Sequence, residues 1–267
     1  MHGSMEHETS TVNARSPKIV ADMVRQSGIA KATLPTIKLL LLAVMAGVFI
    51  ALGALFYTLV VADSAFGAGP TRMLGGIAFS LGLVLVVIAG AELFTGNALM
   101  AVAWADGKIS IWSVMRNWGI VYFGNFIGAL LIAICVVLAG VMVSGALTDK
   151  VADIALAKLQ LSPMQAFFRG ILCNILVCLA VWMAFAARTV IGKVAVIILP
   201  ISAFVGVGFE HSVANMYVLP IAMLGGFVEL NLSGLFWNLV FVTAGNIVGG
   251  VVMVALPYWF VFIRKSD

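Results

Sequence analysis

An ionisable pair, Glu210 and His211, lies in the segment FEHSVAN at residues 209–215, within an otherwise apolar part of the chain. The other two histidines, His2 and His7, lie in the polar N-terminal region. Because titratable groups are costly in hydrocarbon, such residues in a membrane protein commonly mark a transport path. Burial disfavours imidazolium, so we expect His211 to be neutral at rest, to hydrogen-bond a small anion and to share a proton with it. A packed imidazole that bonds only to backbone is the alternative interpretation.

A second polar interruption, ELFTGN at residues 92–97, lies in another long apolar run. The hydroxyl of Thr95 and the amide of Asn97 are groups that can replace water around a small anion. A half-helix that begins after this segment would add partial positive charge at its N-terminus. Ordinary loop chemistry explains the same residues equally well, so the sequence leaves both interpretations open.

Two more polar residues are candidates for the transport path. Asn174 lies in the apolar segment GILCNILVC and needs hydrogen-bond partners when buried, either His211 or a neighbouring helix. Lys158 lies between two apolar runs, where a lysine is usually only a solvated surface residue. Beside a pore mouth, however, a lysine would raise the local concentration of anions.

Two carboxylates, Glu92 and Glu210, are the only acidic residues inside the apolar runs, and each precedes an asparagine, Asn97 or Asn215, by five positions. A fixed negative charge that lines an anion path would repel the substrate. We therefore interpret both glutamates as structural groups that bond backbone N–H groups freed where a helix is interrupted. The two asparagines are interpreted as further support for these segments.

Large apolar side chains near the interruptions are usually packing residues, but apolar constrictions also gate pores by dewetting. We expect such residues to narrow the path on both sides of His211. The candidates are Phe79, Leu83, Leu93, Phe94 and Phe204.

The elements that must position these residues are membrane-spanning helices. The 267-residue chain is 63% hydrophobic and only 10% charged, a composition outside the range of ordinary soluble domains. Spanning a bilayer takes about 20 apolar residues. The second and fifth of the six qualifying runs are too long for one straight helix and carry the polar interruptions, so we expect both to be broken. The six runs are 36–62, 72–104, 112–145, 164–187, 194–226 and 234–263.

An internal repeat relates two halves of the chain. The pattern E-x4-N at Glu92 recurs at Glu210, 118 positions later, and N-x6-G-N-x2-G at Asn117 recurs at Asn238, 121 positions later. Each half carries three spans, so the halves insert in opposite orientations, which places a binding site near the midplane between them. The fold class is therefore an all-α membrane protein with six transmembrane helices in two inverted three-helix repeats.

The same patterns predict the domain organisation. Residues 1–34 form a polar tail with one short amphipathic helix at about 17–27, and its first residues are expected to be an artificial extension. Residues 35–264 form a single transport domain. Its two repeats cover about 35–145 and 163–264.

The distribution of basic residues predicts the orientation. With six spans both termini lie on one side, and that side holds eleven of the fifteen Lys and Arg residues. Because cytoplasmic loops are enriched in basic residues, we expect a bacterial inner-membrane protein with both termini in the cytoplasm. The basic residues are scattered at segment ends, which argues against nucleic-acid binding. The three cysteines lie in apolar runs and one histidine lies within the spans, so we expect neither a metal nor another cofactor.

Seven segments, taken in order, resemble the formate–nitrite transporter family. They are GGIAFSLGL (75–83), GAELFTGNALM (90–100), NWGIVYFGNFIGA (117–129), ALAKLQ (155–160), GILCNILVCLAVWMA (170–184), FEHSVANMYVLP (209–220) and GNIVGG (245–250). The resemblance runs from about residue 28 to 264. It implies a homopentamer in which each protomer has an aquaporin-like six-helix fold and its own pore, although the aquaporin NPA pair is absent.

The resemblance also implies roles for individual residues. His211 matches the family's central pore histidine, and Asn174 matches the amide that hydrogen-bonds this histidine. Thr95 matches the threonine of a mobile first loop, and Lys158 matches the lysine of the periplasmic vestibule. The periplasmic constriction is matched by Phe79 and Phe204, the cytoplasmic constriction by Leu83, Leu93 and Phe94, and the support of the second loop by Glu210 and Asn215.

The chain is therefore predicted to be a channel or secondary transporter, not an enzyme, for small monovalent weak-acid anions. Formate and nitrite are the first candidates and hydrosulfide is a further one; protons and the lipid bilayer are the other partners. A channel for a neutral solute such as water, glycerol or ammonia is the alternative. An intramembrane enzyme would need a serine against His211, and a structural scaffold would need a solidly filled axis from Thr95 to His211.

Overall fold

The computed structural model describes residues 14–142 and 145–264, and this part of the chain forms ten helices and no strands. The expected extension at the very start of the chain lies outside the described residues. The helices are α1 (Pro17–Ala32), α2 (Thr36–Ala62), α3 (Ala68–Gly90), α4 (Gly96–Ala105), α5 (Ile111–Leu138), α6 (Ala146–Leu159), α7 (Pro163–Ala186), α8 (Val190–Val207), α9 (Ser212–Leu224) and α10 (Leu232–Phe262).

Six of these helices are long and apolar enough to span a bilayer. Helices α2, α3, α5, α7, α8 and α10 have 18–31 residues and mean hydropathies of 2.0–2.8. The prediction of an all-α protein with six spans is confirmed. Helix α5 ends at Leu138 instead of continuing to residue 145, because the chain turns at Gly140, which has a φ of 65°.

The second and fifth apolar runs are each divided between two helices. We name the segment between the helices of the second run (91–95) the first break and that of the fifth run (208–211) the second break. Helix α3 ends at Gly90 and α4 begins at Gly96, whereas α8 ends at Val207 and α9 begins at Ser212. Gly90 and Gly208 both have a φ of 86°, a left-handed conformation that glycine adopts without the penalty of a Cβ. These two glycines are 118 positions apart, so the chain leaves the helix at corresponding points of the two halves.

The order of helices α1–α5 is repeated by α6–α10. Within the halves α2 packs against α5 and α7 against α10, and the packing of α3 against α8 joins the halves. A Cβ on Gly128 would overlap the backbone of Val44, and a Cβ on Gly249 would overlap the backbone of Ile171. Small residues allow such close approach of helices in a membrane, and this approach lets polar side chains of α5 and α10 reach the interrupted segments.

Helix α1 lies across one end of the bundle. Its apolar residues Val20 and Val24 pack in a cluster with Val102 and Trp182. Arg15, just before the helix, donates to the carbonyl oxygens of Phe185 and Ala187 at the end of α7 (2.9 and 3.0 Å). We name this face of the protein the α1 side. The opposite face carries α6, which follows the third span, and is named the α6 side.

Replacing Gly128 with alanine is expected to destabilise the protein, because the added Cβ meets the backbone of α2 and overpacking costs about 1–3 kcal/mol. Gly119→Ala, in the same helix, is the control, because no atom lies within 4 Å of its added Cβ. Thermal unfolding of the two variants in detergent checks the prediction. Equal midpoints for both variants would contradict it.

Candidate functional site

The two interrupted segments meet at a hydrogen bond between Thr95 and His211. Thr95 Oγ1 lies 3.0 Å from His211 Nε2, and the exposed fractions of the two residues are 0% and 3%. His211 is also the N-cap of α9, where its Nδ1 accepts the backbone N–H of Ala214 at 3.1 Å. Because Nδ1 is an acceptor in this bond, the neutral ring carries its proton on Nε2 and donates it to the Thr95 hydroxyl oxygen.

The freed backbone groups at the second break are satisfied by Asn246 of α10. Its Oδ1 accepts the N–H of Ser212 at 2.9 Å, and its Nδ2 donates to the carbonyl oxygens of Glu210 (2.9 Å) and Gly170 (2.8 Å). One buried amide thus ties the interrupted segment to both α7 and α10.

Asn125 of α5 makes the corresponding bonds at the first break. Its Oδ1 accepts the N–H of Phe94 at 2.9 Å, and its Nδ2 donates to the carbonyl oxygens of Glu92 (2.9 Å) and Ala43 (2.7 Å). Both asparagines belong to the repeated N-x6-G-N-x2-G pattern. The pattern was visible in the sequence, but their role in supporting the breaks was not.

Contrary to the expectation from the sequence, neither carboxylate accepts a backbone N–H group of the described residues. Both carboxylate oxygens of Glu210 accept from Lys158 Nζ (2.9 and 3.0 Å), and one also accepts from Asn215 Nδ2 at 2.7 Å. Asn215 donates further to Asn238 Oδ1 at 2.8 Å, and Asn238 donates to the carbonyl oxygen of Lys158 at 3.1 Å. The side-chain amides of α5 and α10 take the expected role, so Glu210 is free to balance the charge of the partly buried Lys158.

The first half repeats this cluster with Lys31, which was not among the site residues predicted from the sequence. Lys31 Nζ lies 2.6 Å from Glu92, and Asn97 Nδ2 donates to Glu92 (2.7 Å) and to Asn117 Oδ1 (2.8 Å). Asn117 donates in turn to the carbonyl oxygen of Lys31 at 3.4 Å. A signal was present, because IAKA at 29–32 resembles LAKL at 156–159.

Asn174 lies at the centre but does not bond His211. Its Nδ2 donates to the carbonyl oxygens of Thr95 (3.2 Å) and Asn246 (2.6 Å), and its Oδ1 has no hydrogen-bond partner among the described residues. The expected bond fails because His211 already uses both ring nitrogens, for Thr95 and for Ala214. Asn174 instead holds the first break against α10.

Aromatic rings cover His211 on the α6 side. The ring of Phe204 stacks on the imidazole with centroids 5.9 Å apart and an interplanar angle of 18°. Phe79 meets Phe204 edge-on at 5.6 Å, and Tyr57 meets Phe79 edge-on at 6.5 Å. Phe79 and Phe204 are both buried, so they form an apolar plug next to the histidine.

The three apolar residues predicted for the cytoplasmic constriction, Leu83, Leu93 and Phe94, lie in two different environments. Leu83 and Leu93 line a cavity of about 390 Å³. Phe94 is not part of this lining and packs edge-on against Trp118 and Tyr122, with centroids 6.1 and 4.9 Å away. Its ring therefore anchors the interrupted segment to α5 in this conformation.

The cavity of the α1 side lies between α1 and the first break. Its lining includes Lys31, Glu92, Gly96 and Lys193, but neither Thr95 nor His211. A second cavity, of about 410 Å³, lies beside Lys158 on the α6 side. Neither cavity is lined by Thr95 or His211, which are buried and in direct contact with each other.

Two rival interpretations of the site, a metal centre and an intramembrane enzyme, can be compared with the described residues. Within them no group of three or more His, Cys, Asp or Glu residues could hold a metal ion. Neither ring nitrogen of His211 bonds a serine, because the partners are Thr95 and the amide of Ala214. The arrangement provides one N–H donor and one hydroxyl, held by opposite halves and enclosed by apolar rings, which suits a small hydrogen-bond acceptor.

Comparisons with known proteins agree with this geometry. The sequence profile of a family described as formate/nitrite transporter matches residues 18–260. The chain is 37% identical to the formate channel FocA of Escherichia coli K12, over 94% of this chain and 95% of the relative. A solved pentameric formate channel with formate bound has 42% sequence identity and a TM-score of 0.79, over 86% of this chain and 98% of that one. A solved FNT family ion channel has 31% identity and a TM-score of 0.84, over 91% and 98% of the two chains.

Proposed function

The chain belongs to the formate/nitrite transporter family, and on that premise we propose that it passes small monovalent weak-acid anions through a pore in each protomer. Formate is the first candidate substrate, because the E. coli relative is a formate channel and the solved relative binds formate. We propose a homopentamer on the same ground, since that solved relative is pentameric. The observation that carries the proposal is the Thr95–His211 contact at the meeting point of the two breaks.

The proposed central step is an exchange of hydrogen-bond partners. Before the anion arrives, Nε2–H of His211 donates to Thr95 Oγ1. When the first break moves, an arriving anion accepts this N–H, and the Thr95 hydroxyl turns to donate its own proton to the same anion. Charge-assisted hydrogen bonds of this kind are stronger than neutral ones. They offset part of the cost of removing water from the anion between apolar rings.

The second ring nitrogen limits the part of His211 in proton transfer. An imidazolium would carry a proton on Nδ1, which would then face the N–H of Ala214 instead of accepting from it. Protonation would therefore remove the N-cap of α9, and a lost N-cap typically costs about 1 kcal/mol. The hydrogen-bond role of His211 is accordingly favoured over the role of a proton donor.

The remaining site residues have supporting roles in this proposal. Movement of segment 92–97 opens the α1-side end, where Leu83 and Leu93 line the cavity. Phe79 and Phe204 form the constriction of the α6 side. We propose that the α1 side is cytoplasmic in a bacterial inner membrane, because the topology predicted from the sequence assigns eleven of the fifteen basic residues to it.

The test is anion flux into liposomes that contain the purified protein. We expect saturable uptake of formate and nitrite at two pH values, and hydrosulfide is compared under the same conditions. Protein-free liposomes are the control. Water, glycerol or ammonia flux without anion flux would contradict the proposal and support a channel for neutral solutes.

A further inference from the structure

Each side of the protein has a partly buried lysine whose charge is already balanced by a glutamate. On the α1 side Lys31 Nζ lies 2.6 Å from Glu92, and on the α6 side Lys158 Nζ lies 2.9 Å from Glu210. The potentials of opposite charges this close largely cancel at the distance from which an anion approaches. Neither Lys31 nor Lys158 therefore supplies the net positive charge that would attract an anion to the entrance of the path.

Another basic residue of the α1-side mouth has no such partner. Lys193 lies in the first turn of α8 and lines the same cavity of about 390 Å³ as Glu92 and Leu93. Its side chain makes no ion pair with any residue of the described ranges 14–142 and 145–264. The cavity thus has one net positive charge in its wall, since Lys31 and Glu92 cancel.

A second basic residue without an ion pair lies on the α6 side. Arg72 lies near the start of α3, as Lys193 lies near the start of α8, which is the corresponding helix of the other half. It precedes Phe79 by seven residues, which is two helical turns, so it lies on the same face about 10 Å further out. Arg72 is exposed and likewise forms no ion pair within the described part of the chain.

We propose that Lys193 captures the anion at the α1-side mouth and Arg72 captures it at the α6-side mouth, whereas Lys31 and Lys158 hold the two breaks in place. The proposal rests on the proposed anion transport and assigns the steps of entry within it. Unbalanced charge in a cavity with low-dielectric walls raises the local concentration of counter-ions. Salt screens such an attraction, with a Debye length of about 10 Å at 0.1 M.

The variants Lys193→Gln and Arg72→Gln test the assignment in sidedness-controlled vesicles. Right-side-out and inside-out membrane vesicles are sorted with an antibody against an N-terminal tag, and initial rates of formate entry are measured at low and high salt. We expect Lys193→Gln to raise the KM for entry from the α1 side about tenfold at low salt, the lower end of the range for electrostatic steering. The maximal rate and entry from the α6 side should stay near wild type, and Arg72→Gln should give the opposite sidedness.

Lys108→Gln is the matched control, because Lys108 is an exposed lysine of the α1 side that is not part of the cavity lining. Lys193→Arg should retain the wild-type KM, since it keeps the charge. An unchanged KM in both Gln variants, or a change equal to that of Lys108→Gln, would overturn the assignment. A lower maximal rate of formate entry from both sides would also overturn the assignment, because such a loss indicates a structural role. Absence of formate flux in the wild type would instead contradict the proposed function.

Discussion

Lys158→Met is expected to abolish anion transport and to lower the free energy of unfolding by about 3–5 kcal/mol, the usual cost of removing one partner of a buried ion pair. The side chains of Lys158 and Glu210 are only 15% and 4% exposed. Without the ammonium group, the carboxylate keeps Asn215 as its one hydrogen-bond donor among the described residues. The unbalanced carboxylate then lies one residue before His211, where it destabilises the break and repels anions.

The double variant Lys158→Met/Glu210→Gln separates the two effects. A glutamine can still accept from Asn215 and leaves no buried charge, so we expect most of the lost stability and some of the transport to return. Lys150→Met in the same helix is the control, because the one ion pair of Lys150 among the described residues is with Asp153, at 3.9 Å, and a surface change costs within about 0.5 kcal/mol. Unfolding in detergent and flux into liposomes are measured on all variants. Wild-type stability and flux for the single variant would show that the pair does not support the break.

His211→Phe is expected to reduce formate flux about ten- to a hundredfold, because a hydrogen bond to a charged group contributes about 1.5–3 kcal/mol. Phenylalanine also removes the N-cap of α9. His211→Asn is the informative partner variant, since asparagine is a good N-cap residue and its amide N–H₂ can donate to an anion. We expect His211→Asn to keep measurable flux and the same dependence on pH as the wild type.

The pH profile distinguishes the two roles of the histidine. If His211 hydrogen-bonds the anion without donating a proton, acidification changes transport equally in the wild type and in His211→Asn, because asparagine does not titrate. A flat profile in His211→Asn beside a pH-dependent wild type would contradict the hydrogen-bond role. Initial rates at several external pH values, with the anion concentration held constant, give this comparison.

The sequence by itself determined the spans, the inverted repeat and the central histidine. Long apolar runs must become helices in hydrocarbon, because no water is present to bond their backbone groups. The prediction of the formate–nitrite transporter family is also confirmed, since the segments that carry the resemblance lie in the matched region 18–260 or overlap it. These features are local or periodic, so they can be detected without knowing which helices touch.

Only the tertiary structure decided which polar groups meet. Glu92 and Glu210 were expected to bond backbone N–H groups, but glycine-mediated packing brings Asn125 and Asn246 close enough to take that place. The freed carboxylates then pair with lysines, and Lys31 enters the site only because α1 folds across the bundle. The segment FEHSVAN predicted a functional histidine. The fold supplied its ring orientation, because the amide of Ala214 and the hydroxyl of Thr95 come from opposite halves of the repeat.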